Sequence, residues 1–313
     1  MTACYDCPRR CGTNRPPSLG QPGETGVCTM PLAPVIARAA LHFGEEPCIS
    51  GSGGSGAIFF SGCSLRCVFC QNYAISAENF GRPVSVARLR QIYGELIEQG
   101  AHNINLVNPT HFVRAIAQSL KKPLPVPVVY NCGGYESVES LRLLEGKVQI
   151  YLPDLKYADN RLAARYSGAP DYFERTRAAI LEMTRQTGPY QLDQNGLLRR
   201  GVLIRHLILP GETENSKRVI DWVADTFPPG TVLFSLMSQY VPCGRAADFP
   251  GLNRTLHQRE YDEVEAHLFL RGIEDGFLQE LSSAQSSYIP AFDLTGVLAG
   301  EEKKAMSEDR DRQ

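Results

Sequence analysis

Six short apolar runs alternate with longer segments of helical period from residue 57 onward. Each run is nearly continuous in Val, Ile, Leu, Phe and Tyr, which is typical of strands buried on both faces. The runs span residues 57–60, 104–107, 126–130, 148–152, 202–209 and 232–236. Strands that alternate with helices predict an α/β fold with a parallel sheet. Six repeats suit a partial barrel as well as an open doubly wound sheet, so the pattern leaves both architectures open.

Helices are predicted where apolar residues recur at three- and four-residue intervals. The clearest case covers residues 86–97 and follows Ser85, a candidate N-cap. The same pattern predicts further helices at 111–120 behind Thr110, 138–144 behind Ser137, 172–185 behind Asp171, 214–226 and 259–271.

The two ends of the chain depart from this pattern. Residues 1–50 are rich in Cys, Pro and Gly and predict a small irregular appendage. Residues 301–313 are almost wholly polar and charged, which predicts a disordered tail. The main domain is therefore expected to span residues 51–300.

The charge balance excludes some classes of partner. Lys and Arg number 32 and Asp and Glu number 34, so the net charge is −2 and offers no footprint for nucleic acid or an anionic membrane. The first residues form no signal peptide, and no apolar run is long enough to span a membrane. We therefore expect a cytoplasmic protein.

Ten cysteines in a reducing compartment indicate metal ligation or redox chemistry rather than disulfides. Three of them, Cys63, Cys67 and Cys70, follow the first predicted strand with the spacing C-x3-C-x2-C. Three thiolates leave one iron of a [4Fe-4S] cluster open to a non-protein ligand. The alternative is a zinc site completed by a distant His or Cys. The spacing favours the cluster.

This motif, with Phe69 before the third cysteine, resembles the signature of radical SAM enzymes. The resemblance implies that the open iron chelates the amino and carboxylate groups of S-adenosylmethionine. It also implies reductive cleavage of S-adenosylmethionine to a 5′-deoxyadenosyl radical that abstracts hydrogen. The implied fold is a partial (β/α)6 barrel, in agreement with the six apolar runs.

Over nearly the whole chain the sequence resembles pyruvate formate-lyase-activating enzymes, and above all their PflX-like homologues. The matching segments are 7–11, 44–47, 61–76, 103–112, 130–135, 151–157 and 205–211. The resemblance implies a glycyl radical enzyme or another protein as the hydrogen donor. It also implies an electron donor such as flavodoxin or ferredoxin.

Within this resemblance, Asp154-Leu155-Lys156 is similar to a segment whose Asp and Lys lie beside S-adenosylmethionine. The alternative is a surface ion pair of little energetic value. Arg205 resembles an arginine that pairs with the methionine carboxylate or a ribose hydroxyl. Phe69 is placed with these residues in the cofactor site, whereas His206 points to the opposite face of its strand and is expected to be structural.

Two segments depart from the activating enzymes. Asn108-Pro109-Thr110 stands where those enzymes carry Gly-Gly-Glu for the amino group of S-adenosylmethionine, so no carboxylate is present there. Thr110 is then expected to cap a helix. Gln239-Tyr240 stands where a Tyr-His pair contacts adenosine.

Four further cysteines, Cys4, Cys7, Cys11 and Cys28, suffice for a zinc site or a second cluster, and the spacing also allows unligated thiols. The leading hypothesis for function is a radical SAM enzyme that activates a protein partner. Its rivals are a radical SAM enzyme acting on a small molecule and a zinc-binding structural or regulatory protein.

Overall fold

The computed structural model describes residues 3–279, 281 and 290–298, so the predicted tail at 301–313 lies outside the described residues. The strands are β1 (Val35–His42), β2 (Ser55–Phe60), β3 (Arg82–Pro83), β4 (Ile104–Val107), β5 (Val128–Cys132), β6 (Ile150–Pro153), β7 (Gln191–Leu192), β8 (Leu198–Leu207), β9 (Leu233–Met237) and β10 (Gly276–Leu278). The α-helices are α1 (Pro47–Ser50), α2 (Tyr73–Ser76), α3 (Val86–Glu98), α4 (Val113–Ser119), α5 (Val138–Arg142), α6 (Asn160–Ser167), α7 (Tyr172–Thr187), α8 (Thr213–Thr226) and α9 (Gln258–Leu270).

One sheet carries the fold, in the order β10-β9-β8-β6-β5-β4-β2-β1-β3. The six predicted strands correspond to β2, β4, β5, β6, β8 and β9, and each is parallel to the next. Their order in the sheet is their order in the chain. A doubly wound sheet reverses direction at a switch point, and this sheet does not. The partial (β/α)6 barrel is therefore confirmed.

Burial on both faces explains why the sequences of these strands are continuous apolar runs. Every residue of β2, β4, β5, β6 and β9 is buried. The helix predicted behind Ser85 is α3, and the Ser85 hydroxyl accepts a hydrogen bond from the Arg88 N–H at 3.0 Å. No helix in the described part of the chain is long and apolar enough to cross a membrane.

Residues 3–34 contain neither helix nor strand and are held to the barrel by buried arginine. The Arg15 guanidinium donates hydrogen bonds to the carbonyls of Met30, Pro31 and His111. The sequence predicts irregular structure up to residue 50. Residues 35–50 depart from this expectation, because they include β1, which pairs antiparallel with β2. The division of the chain into domains stays a prediction.

Candidate functional site

The loop after β2 carries Cys63, Cys67 and Cys70 and begins at Gly62. Gly62 has a φ of +79°, and a Cβ atom there would collide with the Met30 side chain. Glycine is therefore needed for the chain to turn out of β2 this closely. All three cysteines line one cavity of about 240 Å³ at the carboxyl ends of the barrel strands.

Each of the three sulfurs accepts a hydrogen bond. The donors are the Leu65 N–H to Cys63 Sγ at 3.4 Å, the Ser167 hydroxyl to Cys67 Sγ at 2.9 Å and the Ser76 hydroxyl to Cys70 Sγ at 3.3 Å. Hydrogen bonds to a charged acceptor are stronger than those to a neutral one. The loop is thus built to stabilise thiolates, as metal ligation requires.

Burial works against thiolates when no metal compensates their charge. It raises the pKa of Cys67 to about 12, against the opposing field of the Lys156 ammonium, and it also raises the pKa of Cys70. Metal ligation must therefore displace protons from these thiols.

A charged network lines the same cavity on the side of β6 and β8. Asp154 follows β6, and its carboxylate accepts hydrogen bonds from Lys156 Nζ and from Arg205 Nε, the latter at 3.0 Å. The Asp154 and Lys156 side chains are 15% and 18% exposed. The alternative of a surface ion pair is therefore wrong, because the pair is mostly buried and faces the cavity.

The two cations of this network stay charged at all physiological pH values. Burial alone would lower the pKa of Lys156, but the Asp154 carboxylate outweighs it and the pKa is raised. The pKa of Arg205 is raised in the same way, by Asp154 and Glu45 acting against burial. Buried charges that are held ready in a cavity are a mark of a functional site.

Two residues that sequence reasoning did not single out complete the network. Glu45 Oε2 accepts a hydrogen bond from Arg205 Nη1 at 3.1 Å, and Asn131 Oδ1 accepts one from Arg205 Nη2 at 2.7 Å. Asn131 Nδ2 in turn donates to Glu45 Oε1 at 2.9 Å. Both residues lie in segments that carried the family resemblance, 44–47 and 130–135. That resemblance was the sequence signal that could have identified them.

Phe69, predicted to contact the cofactor, also lines the cavity. Its ring lies 6.0 Å from the ring of Tyr240, whose hydroxyl donates to the Leu252 carbonyl at 2.7 Å. Gln239 reaches the cavity, whereas Tyr240 is buried behind Phe69. A role of these residues in binding adenosine stays a prediction.

Asn108 supports the cysteine loop from β4. Its φ of +59° is a left-handed conformation that asparagine adopts more readily than most residues. Its side-chain amide donates a hydrogen bond to the Gly62 carbonyl. Asn108 therefore fixes the start of the cysteine loop, and it lines the cavity with an amide in place of a carboxylate.

Thr110 does not cap a helix, so that prediction is wrong. Its hydroxyl donates to Glu136 Oε1 at 2.6 Å, and the Tyr130 hydroxyl donates to Glu136 Oε2 at 3.0 Å. Glu136 lies in the core, and burial raises its pKa to about 7. The Thr110 hydroxyl bonds to Glu136 because each oxygen of a buried carboxyl group needs a hydrogen-bond partner, and Tyr130 serves only the other oxygen.

We expect Glu136 to make stability depend on pH near neutrality. Because its folded pKa is raised, its stabilising contribution is full below its unfolded pKa and is lost as pH rises through about 7. The free energy of unfolding of the native protein, relative to a Glu136→Gln variant, should fall by up to about 3 kcal/mol from acid to mildly alkaline pH. Urea unfolding at a series of pH values measures this difference, and a difference that is flat or rises with pH contradicts the expectation.

His206 is structural, as the strand alternation predicted. Its Nδ1 lies 2.6 Å from the Leu155 carbonyl oxygen and its Nε2 lies 2.8 Å from Ser216 Oγ. Burial lowers its pKa to about 4, so the ring is neutral at physiological pH. Both ring nitrogens therefore have hydrogen-bond partners, and the ring lies on the side of β8 that faces away from the cavity.

The other four clustered cysteines also come together. Cys4, Cys7, Cys11 and Cys28 line a second, smaller cavity between the N-terminal segment and the barrel. Among the described residues, no three His, Cys, Asp or Glu side chains are arranged to hold a single metal ion. This holds for both groups of cysteines.

Comparison with known proteins gives one family. A profile of the Radical SAM superfamily matches residues 57–223. An uncharacterised protein of Methanocaldococcus jannaschii, MJ0674, is 30% identical over 279 residues, which cover 85% of this chain and 73% of that protein.

Several solved structures are similar at low identity. Streptococcus suis SuiB bound to S-adenosylmethionine is 12% identical, with a TM-score of 0.43, and the similarity covers 71% of this chain and 49% of SuiB. The chain thus spans about half the length of SuiB. Methylornithine synthase is 14% identical with a TM-score of 0.43, over 76% of this chain and 69% of that one. A mutant of spore photoproduct lyase is 11% identical with a TM-score of 0.46, over 70% and 74%.

Proposed function

Because the chain belongs to the radical SAM superfamily, whose members use a [4Fe-4S] cluster and S-adenosylmethionine, we propose that Cys63, Cys67 and Cys70 hold the cluster and that the adjoining cavity binds S-adenosylmethionine. One observation carries this proposal: three hydrogen-bonded cysteine sulfurs and two buried cations line the same cavity. The family contradicts the alternative of a zinc-binding structural or regulatory protein.

The residues present fit both cofactors. Three thiols hold three irons of a cubane and leave the fourth open. When bound, the reduced cluster supplies the electron that breaks the sulfonium–C5′ bond of S-adenosylmethionine and so yields a 5′-deoxyadenosyl radical. The chain itself must hold the cluster, bind the ligand's charged end and exclude water.

Lys156 and Arg205 are the groups proposed to bind the anionic end or the ribose hydroxyls of the ligand. Their side chains are 18% and 15% exposed, so the cavity has already removed most of their water. A charged hydrogen bond gains strength in such surroundings. Asp154 and Glu45 hold the two cations in place before the ligand arrives, which lowers the entropic cost of binding.

Phe69 is proposed to shield the ligand rather than to bond to it. It directly precedes Cys70 in the loop and is only 6% exposed. The buried Tyr240 ring behind it limits its movement. An apolar wall beside the cluster keeps water and oxidant away from it.

For the hydrogen donor, we propose a protein partner, such as a glycyl radical enzyme, with flavodoxin or ferredoxin as the source of electrons. The sequence resemblance to activating enzymes supports this choice. The sheet supports it too, since its order ends at β10 and β3 rather than closing through eight strands, and an open side can admit a polypeptide loop.

An anaerobic incubation tests both parts of the proposal, the cleavage of S-adenosylmethionine and the protein hydrogen donor. The reduced enzyme should release 5′-deoxyadenosine from S-adenosylmethionine, and a protein fraction of the host should accelerate this release and acquire a radical visible by paramagnetic resonance. Acceleration only by the small-molecule fraction would reject the protein partner and keep the radical SAM activity. No release under any condition would reject the activity itself.

A further inference from the structure

We infer that Ser167 is a positioning residue for the proposed [4Fe-4S] cluster and that its hydroxyl, acting through Cys67, raises the reduction potential of that cluster. The inference rests on the proposed function, since it needs a cluster on the cysteine loop. Ser167 is the last residue of α6 and lies 100 residues from Cys67 along the chain. The three-cysteine motif does not include it.

The hydrogen bond from Ser167 is the shortest of the three described above that reach the cysteine sulfurs. Ser167 Oγ lies 2.9 Å from Cys67 Sγ. The Ser76 hydroxyl and the Leu65 N–H lie 3.3 Å and 3.4 Å from the sulfurs to which they donate. Ser167 is only 1% exposed, so little water competes for its hydroxyl. A hydrogen bond in such surroundings is electrostatically stronger than one in water.

A second buried hydroxyl fixes the direction of this hydrogen bond. The Tyr157 hydroxyl oxygen lies 2.8 Å from Ser167 Oγ, and Tyr157 is fully buried. A cysteine that binds iron has lost its thiol proton, so Ser167 gives its only hydroxyl proton to Cys67. Tyr157 then donates to Ser167 rather than accepting from it. The two hydrogen bonds point the same way, and each strengthens the other.

Backbone contacts hold the end of α6 against the cysteine loop. The Val68 N–H donates to the Tyr166 carbonyl at 2.9 Å. The Arg9 guanidinium donates from Nε to the Ser64 carbonyl at 2.7 Å and from Nη2 to the Ser167 carbonyl at 3.0 Å. Arg9 therefore joins the loop to α6 directly. The position of the Ser167 hydroxyl is set by the protein, as for other groups that orient metal ligands from behind.

The effect on the cluster follows from where the added charge resides. Reduction adds one electron to the cluster, and part of the negative charge falls on the cysteine sulfurs. A donor that points at a sulfur therefore stabilises the reduced cluster more than the oxidised one, and hydrogen bonds to sulfur help to set cluster potentials. Ser167 thus favours uptake of the electron that the flavodoxin or ferredoxin proposed above would supply.

A redox titration of the reconstituted cluster, followed by paramagnetic resonance, tests this inference. Ser167→Ala should lower the midpoint potential, so that the ratio of reduced to oxidised cluster at a fixed potential falls by up to about tenfold. Tyr157→Phe keeps the hydrogen bond from Ser167 and removes only the donor behind it. This variant should shift the potential in the same direction by a smaller amount.

Ser140→Ala is the matched control. Ser140 is also a buried helical serine, but its hydroxyl donates to the Asp6 carbonyl at 2.8 Å and not to a sulfur. Loss of a buried hydrogen bond should lower the stability of the Ser140→Ala and Ser167→Ala variants alike. The potential should shift only in Ser167→Ala, which separates an effect on the cluster from a general loosening of the fold.

The outcomes distinguish this inference from the function on which it rests. A Ser167→Ala variant that holds its cluster at the wild-type potential would overturn the inference and leave the proposed function standing. A wild-type protein that takes up no cluster would reject the proposed function and the inference together. Should Ser167→Ala fail to fold or to bind a cluster, Tyr157→Phe decides: a lower potential supports the inference, and an unchanged one overturns it.

Discussion

Replacing Cys63, Cys67 and Cys70 by alanine is expected to abolish reductive cleavage of S-adenosylmethionine. Fewer than three thiolates cannot hold a cubane against solvent and oxidant, so any one of the three single substitutions should have the same effect. The measurement is 5′-deoxyadenosine release by reduced, anaerobically reconstituted enzyme. We expect release to fall to the background of a protein-free control.

A matched control comes from the chain itself. Cys48 is buried in α1, in an apolar cluster away from the cavity. A Cys48→Ala variant should keep the [4Fe-4S] cluster and its activity. A triple variant that still cleaves S-adenosylmethionine would overturn the assignment of the cluster to this loop.

Lys156→Ala and Arg205→Ala are expected to keep the cluster and to weaken S-adenosylmethionine binding. Each variant removes a charged donor that lines the cavity proposed to bind the ligand, at an expected cost of about 1.5–3 kcal/mol per lost charged hydrogen bond. The dissociation constant should therefore rise by roughly ten- to hundredfold. Equilibrium binding of S-adenosylmethionine to the reconstituted protein measures the change.

The network itself makes these variants informative. Asp154 contacts both cations, so it keeps one partner in either variant. Arg205→Ala also removes the cation that pairs with Glu45, although Asn131 Nδ2 still donates to that carboxylate. Arg200→Ala is the control on the same strand, because Arg200 is exposed and lies outside the cavity. Unchanged affinity in both cavity variants, with iron content intact, would reduce Lys156 and Arg205 to members of a structural ion network.

The site could be predicted only in part. Motif residues lie close together in sequence, so the spacing of Cys63, Cys67 and Cys70 and the pair Asp154 and Lys156 were accessible, and the structure brings them to one cavity. The resemblance at 44–47 marked the segment of Glu45 but not its role, since its partner Arg205 is 160 residues away. Thr110 was misassigned because its partner, Glu136, follows a different strand.

Sequence alone determined the local features of this protein. Continuous apolar runs identify strands buried on both faces, and a three-cysteine motif identifies its family, because each pattern is complete within a few residues. Tertiary structure decided the rest. The order of β2, β4, β5, β6, β8 and β9 separates a partial barrel from a doubly wound sheet, and hydrophobic periodicity is the same in both. The meeting of Glu45 with Arg205 and of the four N-terminal cysteines with one another depends on long-range chain packing, which no local pattern records.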